Sequence, residues 1–145
     1  MGLFKRSQTE SATGGLKILA VDDEADIRTV LQKGLETSGH RVVLAVDGEE
    51  ALQKVRDEKP DLVILDIRMP KLDGIQVLQV IKKDPLTRRL PVIMLTGNAS
   101  DEDLLKGYMF GADYYITKPF KLQTILNGIS LVLKPDPNRP QRYTI

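Results

Sequence analysis

The sequence predicts an α/β protein: a doubly wound sandwich of three layers built on five β-α units. Short apolar runs of strand length alternate with runs of helical spacing, and five such pairs follow one another without internal repeat. The 145 residues also fall well short of the ~250 that a closed eight-unit barrel requires. Right-handed crossovers then set helices on both faces of a parallel sheet.

Each element follows from its local pattern. Lys17 to Val21 suits a buried strand, and Ile27, Val30, Leu31 and Leu35 have the spacing of one helical face from Ala25 to a stop at Gly39. Arg41 to Val46 reads as the second strand and Gly48 to Glu58 as a helix around Ala51, Leu52 and Val55. Asp61 to Leu65, after Pro60, is the third strand. Gly74 follows a turn, and Ile75, Val77, Leu78 and Ile81 define a helix that ends before Pro85, because proline disfavours helix in its predecessor. Pro91 opens the fourth strand, Val92 to Leu95. Ser100 with Asp103 three residues later resembles a capping box, which predicts a helix burying Leu104, Leu105, Tyr108 and Met109. Tyr114 to Thr117 is the fifth strand. The last helix, from about Phe120, buries Leu122, Ile125, Leu126, Ile129 and Leu133 before Pro135, Pro137 and Pro140 forbid continuation. Residues 1–15 read as a flexible lead and 135–145 as a Pro-rich tail, which leaves 16–134 as one domain.

Composition narrows the function. Twenty-one Lys plus Arg against twenty Asp plus Glu give a formal charge of +1, so no global field draws the chain to nucleic acid or an anionic membrane. The pairs Lys82-Lys83 and Arg88-Arg89 read as solvated faces. No apolar run approaches the ~20 residues that span a bilayer, and the amino terminus lacks the apolar core of a secretory signal. Absence of cysteine removes disulfides and zinc-thiolate sites and fits the reducing cytoplasm.

Three strings put ionisable groups directly after strand-like runs: Ala20-Val21-Asp22-Asp23-Glu24, Leu65-Asp66-Ile67-Arg68-Met69-Pro70 and Thr117-Lys118-Pro119-Phe120. Ligands of parallel sheets sit at the carboxyl ends of the strands, so Asp22, Asp23, Asp66 and Lys118 aim at one spot. Converging carboxylates repel, and a divalent cation with oxygen ligands relieves them; Mg²⁺ is the natural choice where histidine and cysteine ligands are missing. Asp66 is a possible nucleophile, since carboxylates form aspartyl phosphates. Lys118 offers a point charge and Thr96, ending the fourth strand, a hydroxyl donor for a phosphoryl group. Each residue alone has a plainer reading. Asp22 and Asp23 could cap the first helix, Asp66 could be a turn residue, and Lys118 a solvated lysine. Their joint placement argues against all three. The single His40, at a helix-to-strand turn, reads as a surface residue, so the chain should receive phosphate and not originate it.

The ordered set resembles the receiver domain of bacterial two-component response regulators, the CheY-like family, over about residues 16 to 134. The matching motifs are Asp22 and Asp23, the D-x-x-M-P-x-x-D-G run from Asp66 through Gly74, Thr96, and Lys118 with Pro119. Separations of 43, 30 and 22 residues between Asp23, Asp66, Thr96 and Lys118 are similar to the family's. The resemblance implies a flavodoxin-like fold with strand order 2-1-3-4-5 and a cis Lys118-Pro119 bond. It implies a single-domain receiver with Asp66 as phosphoacceptor and Mg²⁺ held by Asp23, Asp66 and the Arg68 backbone carbonyl, with Asp22 acting through water. Lys118 would pair with the phosphoryl group, Thr96 would turn toward it, and Tyr115 matches the aromatic switch position. Arg68 and Asn98 occupy the family's rate-tuning positions. The expected partners are a sensor histidine kinase or histidine phosphotransfer protein, and a downstream protein on the helix 4, strand 5, helix 5 face. The expected state is a monomer or a phosphorylation-linked dimer.

Two other classes are weighed. An aspartate-nucleophile phosphatase normally has a second aspartate two residues after the nucleophile, where this chain has Arg68, and no cap domain is present. A phosphorylation-independent interaction module remains if the site is intact but unused.

Overall fold

The computed structural model describes residues 15–97 and 106–133. At its centre β1 (Lys17–Val21) pairs with β2 (Arg41–Ala45) on one side and β3 (Leu62–Asp66) on the other; β4 (Val92–Thr96) and β5 (Tyr114–Thr117) follow. All four pairings are parallel, in the order β2-β1-β3-β4-β5. The connecting helices are α1 (Ala25–Thr37), α2 (Gly48–Glu58), α3 (Gly74–Lys83), α4, described over 106–109, and α5 (Leu122–Leu133). Fold class and strand order are therefore those expected.

Helices on both faces explain why every residue of β3 and β4 is buried. Alternate side chains of each strand go to opposite faces. Leu19, Val21, Val63, Leu65, Val92 and Met94 pack with α2 and α3 through Ala51, Val55, Val77, Leu78 and Ile81. Ile18, Ala20, Leu62, Ile64, Ile93 and Leu95 pack with α1 and α5 through Leu31, Leu35, Ile125, Ile129 and Val132. Aspartates set the starts of α2 and α3. Asp47 accepts from the Glu50 N–H at the head of α2, and Asp73 forms a reciprocal capping box with Gln76 at the head of α3.

Several expectations are corrected. Tyr108 and Met109 are exposed, because the inward position of the described α4 turn is Gly107 and the Tyr115 hydroxyl fills the space where a side chain would stand. In α5, Val132 completes the inward row with Ile125 and Ile129, which turns Leu133 outward. Val30 likewise faces out, one position off the row made by Leu31 and Leu35. The strands β3 and β4 run one residue further than expected, so Asp66 and Thr96 are strand residues with backbone fixed by the ladder. The Ser100–Asp103 box, Leu104, Leu105, Asn98 and most of both chain ends lie outside the described residues.

His40 is buried, not superficial. Its N–H closes α1 on the Leu35 carbonyl at 3.0 Å; desolvation of the buried ring lowers its pKa, and among the described residues Nδ1 has no hydrogen-bond partner. Lys82 is not a solvated lysine either. Its ammonium reaches the carbonyls of Leu90 at 2.5 Å and Arg88 at 3.2 Å, and the Asp113 carboxylate at 3.4 Å. Asp113 also accepts from the Val92 N–H at 2.8 Å. A turn of eight residues between α3 and β4 exposes carbonyls that no strand satisfies, and the long lysine stem brings a cation to them.

Removing one partner of a buried ion pair leaves the other charge uncompensated. Lys82→Ala is accordingly expected to destabilise the fold by about 3–5 kcal/mol, whereas Lys83→Ala, on the exposed side, changes stability by less than about 0.5 kcal/mol. Urea unfolding of the two variants checks this; equal effects would contradict the buried pair.

Candidate functional site

The sheet register delivers the site residues to one edge. Val21 lies opposite Leu65, so Asp22 and Asp66 leave adjacent strands side by side. The Asp22 N–H binds the Ala45 carbonyl at 3.2 Å and the Ile67 N–H binds the Leu95 carbonyl at 3.0 Å, extending the ladders past the last core residues. On the other side the Lys118 N–H donates to the Thr96 carbonyl at 2.7 Å, which fixes the lysine beside the end of β4. The Lys118-Pro119 peptide is cis, as the resemblance implied.

Gly74 secures the loop after β3. Its N–H binds the Ile67 carbonyl at 2.7 Å, and a Cβ there would stand 2.2 Å from the Asp66 carbonyl oxygen and 2.7 Å from Ile67 Cα. Only glycine lets the head of α3 approach the end of β3 this closely. The loop in between carries Lys71 at φ +67°, paired with Asp47 at 3.4 Å and Glu49 at 3.5 Å across the β2-α2 turn.

One ammonium serves three carboxylates. Lys118 Nζ stands 2.8 Å from Asp22 Oδ2, 3.1 Å from Glu24 Oε1 and 3.4 Å from Asp66 Oδ1. Its contact with Asp22 is an ion pair without hydrogen-bond alignment; the other Asp22 oxygen, Oδ1, accepts from the Glu24 N–H at 2.9 Å. Asp22 is wholly buried, Asp66 nearly so, and Lys118 half-buried, while Asp23 and Glu24 face solvent.

The electrostatics follow from this crowding. Burial, and next the Asp22 charge, push the Asp66 carboxyl up to about 7 against the opposing pull of Lys118 and the Arg68 N–H. For Lys118 burial works against the charged form, and the carboxylates of Asp22, Glu24 and Asp66 outweigh it, so its pKa lies above the ordinary lysine value.

Asp22, Asp23 and Asp66 each offer a carboxylate oxygen, and these oxygens lie within 4.8 Å of one another. An all-oxygen set with one open, solvent-facing member suits a hard cation that retains waters, which is the preference of Mg²⁺. The donor chemistry therefore fits the metal expected from the sequence.

The remaining predicted residues take these positions. Thr96 is fully buried at the edge, in register with Thr117. Tyr115 pairs with Met94 one step down the sheet, half-buried, with its hydroxyl against Gly107 of α4 and its ring 4.9 Å from that of Tyr108. Arg68 is exposed and lines a cavity of about 560 Å³ with Met69, Gln76, Lys106 and Phe110. Neither Asp22 nor Asp23 caps α1: the N-cap is Glu24, which makes no side-chain cap bond. Glu24 stands within the acidic string of the sequence without a role in the expected site. The signal was a third acid next to a pair already assigned, and only the distance to Lys118 distinguishes it from a solvated glutamate.

The fold and this edge define a class: an open, doubly wound α/β protein whose acidic, lysine-bridged site sits at the carboxyl ends of parallel strands. The model of the response regulator receiver domain matches residues 18–130, and the chain belongs to that family. It is 46% identical over 118 residues to the alkaline phosphatase synthesis transcriptional regulatory protein PhoP of Bacillus subtilis, covering 81% of this chain and 48% of that protein. It is 38% identical over 120 residues to protein PilG of Pseudomonas aeruginosa, covering 83% of this chain and 89% of PilG. The chemotaxis protein CheY4 of Vibrio cholerae superposes with a TM-score of 0.78 at 33% identity, over 82% of this chain and 99% of CheY4. The chain spans about half the length of the transcriptional regulators it matches.

The raised Asp66 pKa has a defined sign for stability. Between the ordinary 3.8 and about 7 the folded chain holds a proton that the unfolded chain releases, so this group's contribution falls as pH rises through that window. Without metal, Asp66→Asn should unfold at a higher temperature than the original chain, with a difference that grows from pH 4 to 7 and is level above. Thermal unfolding in a chelator across that range measures it; a difference independent of pH would contradict the raised pKa.

Proposed function

We propose that this receiver accepts a phosphoryl group on Asp66. The observation that carries the reading is a buried acceptor carboxylate at a strand end, with one lysine ammonium and two further aspartates within reach of it. An ionised Asp66 oxygen attacks the phosphorus of an acyl phosphate or a phosphohistidine. The donor's P–O or P–N bond breaks, its electron pair leaves with the donor, and an aspartyl phosphate remains. Hydrolysis reverses the capture: water attacks phosphorus, the Asp66 oxygen departs with its electron pair, and inorganic phosphate is released.

The chain's own groups divide the work. Lys118 transfers its charge from the carboxylates to the phosphoryl oxygens, and Thr96 presents its hydroxyl to one of them. Asp23, Asp66 and the Arg68 carbonyl would hold Mg²⁺, with Asp22 acting through water; both Asp22 oxygens are already engaged by Lys118 and the Glu24 N–H, which favours that indirect role. Bound Mg²⁺ supplies positive charge that offsets the crowded carboxylates and the transferring oxygens. Self-catalysed transfer and loss of the phosphoryl group are the only chemistry in this reading; no separate substrate is turned over.

A phosphoryl group adds nearly two negative charges at the sheet edge. Thr96 moving toward it vacates volume next to β5, and Tyr115 couples that change to α4 through its contact at Gly107. The readout is the α4-β5-α5 face, where Tyr108 and Met109 stand exposed beside an α5 that has no charged residue from Leu122 to Leu133. The donor is a sensor histidine kinase or a histidine phosphotransfer protein and the reader a downstream protein, not nucleic acid or membrane. The receiver unit is 16–134, cytoplasmic, and a monomer or a phosphorylation-linked dimer; no described helix is long and apolar enough to cross a membrane.

Incubation with acetyl phosphate and Mg²⁺ followed by intact-mass measurement tests the acceptor. One phosphoryl mass is expected, lost in Asp66→Asn and without Mg²⁺; a gain that survives Asp66→Asn would sink the assignment. Arg68, exposed at the mouth of the site, is expected to shield or steer at the phosphoryl group. Arg68→Ala should therefore change the decay rate of labelled protein severalfold, and an unaltered half-life would remove Arg68 from the rate-setting groups.

A further inference from the structure

We infer that Glu24 is a positioning residue: it holds the Lys118 ammonium at the mouth of the site and so limits how readily Asp66 takes up and keeps a phosphoryl group. This rests on the acceptor reading above. Glu24 has no part in the expected ligand set, and its main chain is fixed independently of its carboxylate. Its N–H binds Asp22 Oδ1 at 2.9 Å and its carbonyl accepts the Arg28 N–H at 3.1 Å, opening α1. As the N-cap residue it makes no side-chain cap bond. Among the described residues its carboxylate has one partner, Lys118.

Competition for a single cation gives this contact its consequence. Lys118 Nζ is nearer to Asp22, at 2.8 Å, and to Glu24, at 3.1 Å, than to Asp66, at 3.4 Å. The buried Asp22 needs a counter-charge whatever the state of the site, whereas Glu24 is 62% exposed and well hydrated without one. The Glu24 contact is therefore the one Lys118 relinquishes as it swings inward to pair with a phosphoryl group on Asp66. Glu24 also sets a negative charge at the opening through which a dianionic donor must pass. Both effects slow uptake, and the first also weakens retention. An ion pair exposed on one side is modest in strength, so removing it should change rates and affinities by about two- to fivefold. The effect is electrostatic and shrinks as salt screens it.

The test compares the full chain with Glu24→Gln, which keeps shape and removes charge, and with Glu24→Asp, which keeps charge on a shorter stem. Three readouts are taken: phosphoryl uptake from acetyl phosphate with Mg²⁺, apparent affinity for beryllofluoride with Mg²⁺, and the metal-free Lys118 ammonium resonance by ¹⁵N NMR. Glu24→Gln should take up phosphoryl groups and bind beryllofluoride about two- to fivefold better, with the difference fading in about 1 M salt. Its Lys118 resonance should shift with no donor present, and Glu24→Asp should fall between the two. If the unsubstituted chain is not labelled, the acceptor reading fails and the inference falls with it. If the chain is labelled but Glu24→Gln matches it in uptake and affinity, or keeps its advantage in high salt, Glu24 does not position Lys118 and the acceptor reading stands alone. A change in melting temperature without those shifts assigns Glu24 to the stability of α1 only and overturns the inference.

Discussion

A single lysine ammonium balancing three carboxylates is the constraint around which this molecule is arranged. Asp22 has no exposure at all, and an ionised carboxylate in that position is tolerable only with a cation and a donor at hand. Lys118 and the Glu24 N–H are those two groups. They arrive because β5 ends beside β4, β4 beside β3, and β3 beside β1, each ladder carried one hydrogen bond past its apolar residues. A shift of one residue in one of these pairings would turn the group at the end of the slipped strand to the other face of the sheet, away from its partners. The two apolar layers above and below the sheet thus do more than stabilise: they fix the register that makes the charges meet.

Much of this could be read from sequence because the strands are buried on both faces and therefore appear as unbroken apolar runs with polar residues only at their ends. Five runs located the sheet, and the position of Asp22, Asp66, Thr96 and Lys118 at the run ends anticipated that they meet at one edge of it. The readings that failed share a cause, which is that pattern does not say how far a side chain reaches or what stands opposite. Lys82 looked solvated because it adjoins Lys83, yet its stem carries the charge inward to Asp113 and two carbonyls. Tyr108 and Met109 looked like core because they are apolar at helical spacing, yet Tyr115 already fills that volume from the sheet side. His40 looked superficial because it follows a turn glycine, and the turn folds it inward. Glu24 is the subtler case, since the partner of its carboxylate among the described residues is a lysine 94 residues away in sequence.

The family relationship and the local physics bear on different parts of the molecule. Membership in the receiver family accounts for the order of strands and the kind of site at their ends. Surface composition is a separate matter, read from this chain's own residues. α5 carries no charge along its twelve residues, and the exposed side of α4 presents Tyr108 and Met109.

The tyrosines of that face have an optical consequence. The chain contains four tyrosines and no tryptophan, so no indole drains their excitation or masks their near-ultraviolet absorption. Two of the four, Tyr108 on α4 and Tyr115 on β5, stand with ring centres 4.9 Å apart and planes tilted by 59°. Rings that close couple as oscillators, and the sign and strength of their circular dichroism depend on that tilt. The molecule thus has a built-in chiroptical gauge at the junction of helix and sheet, and it needs no dye or engineered label to report when one moves against the other.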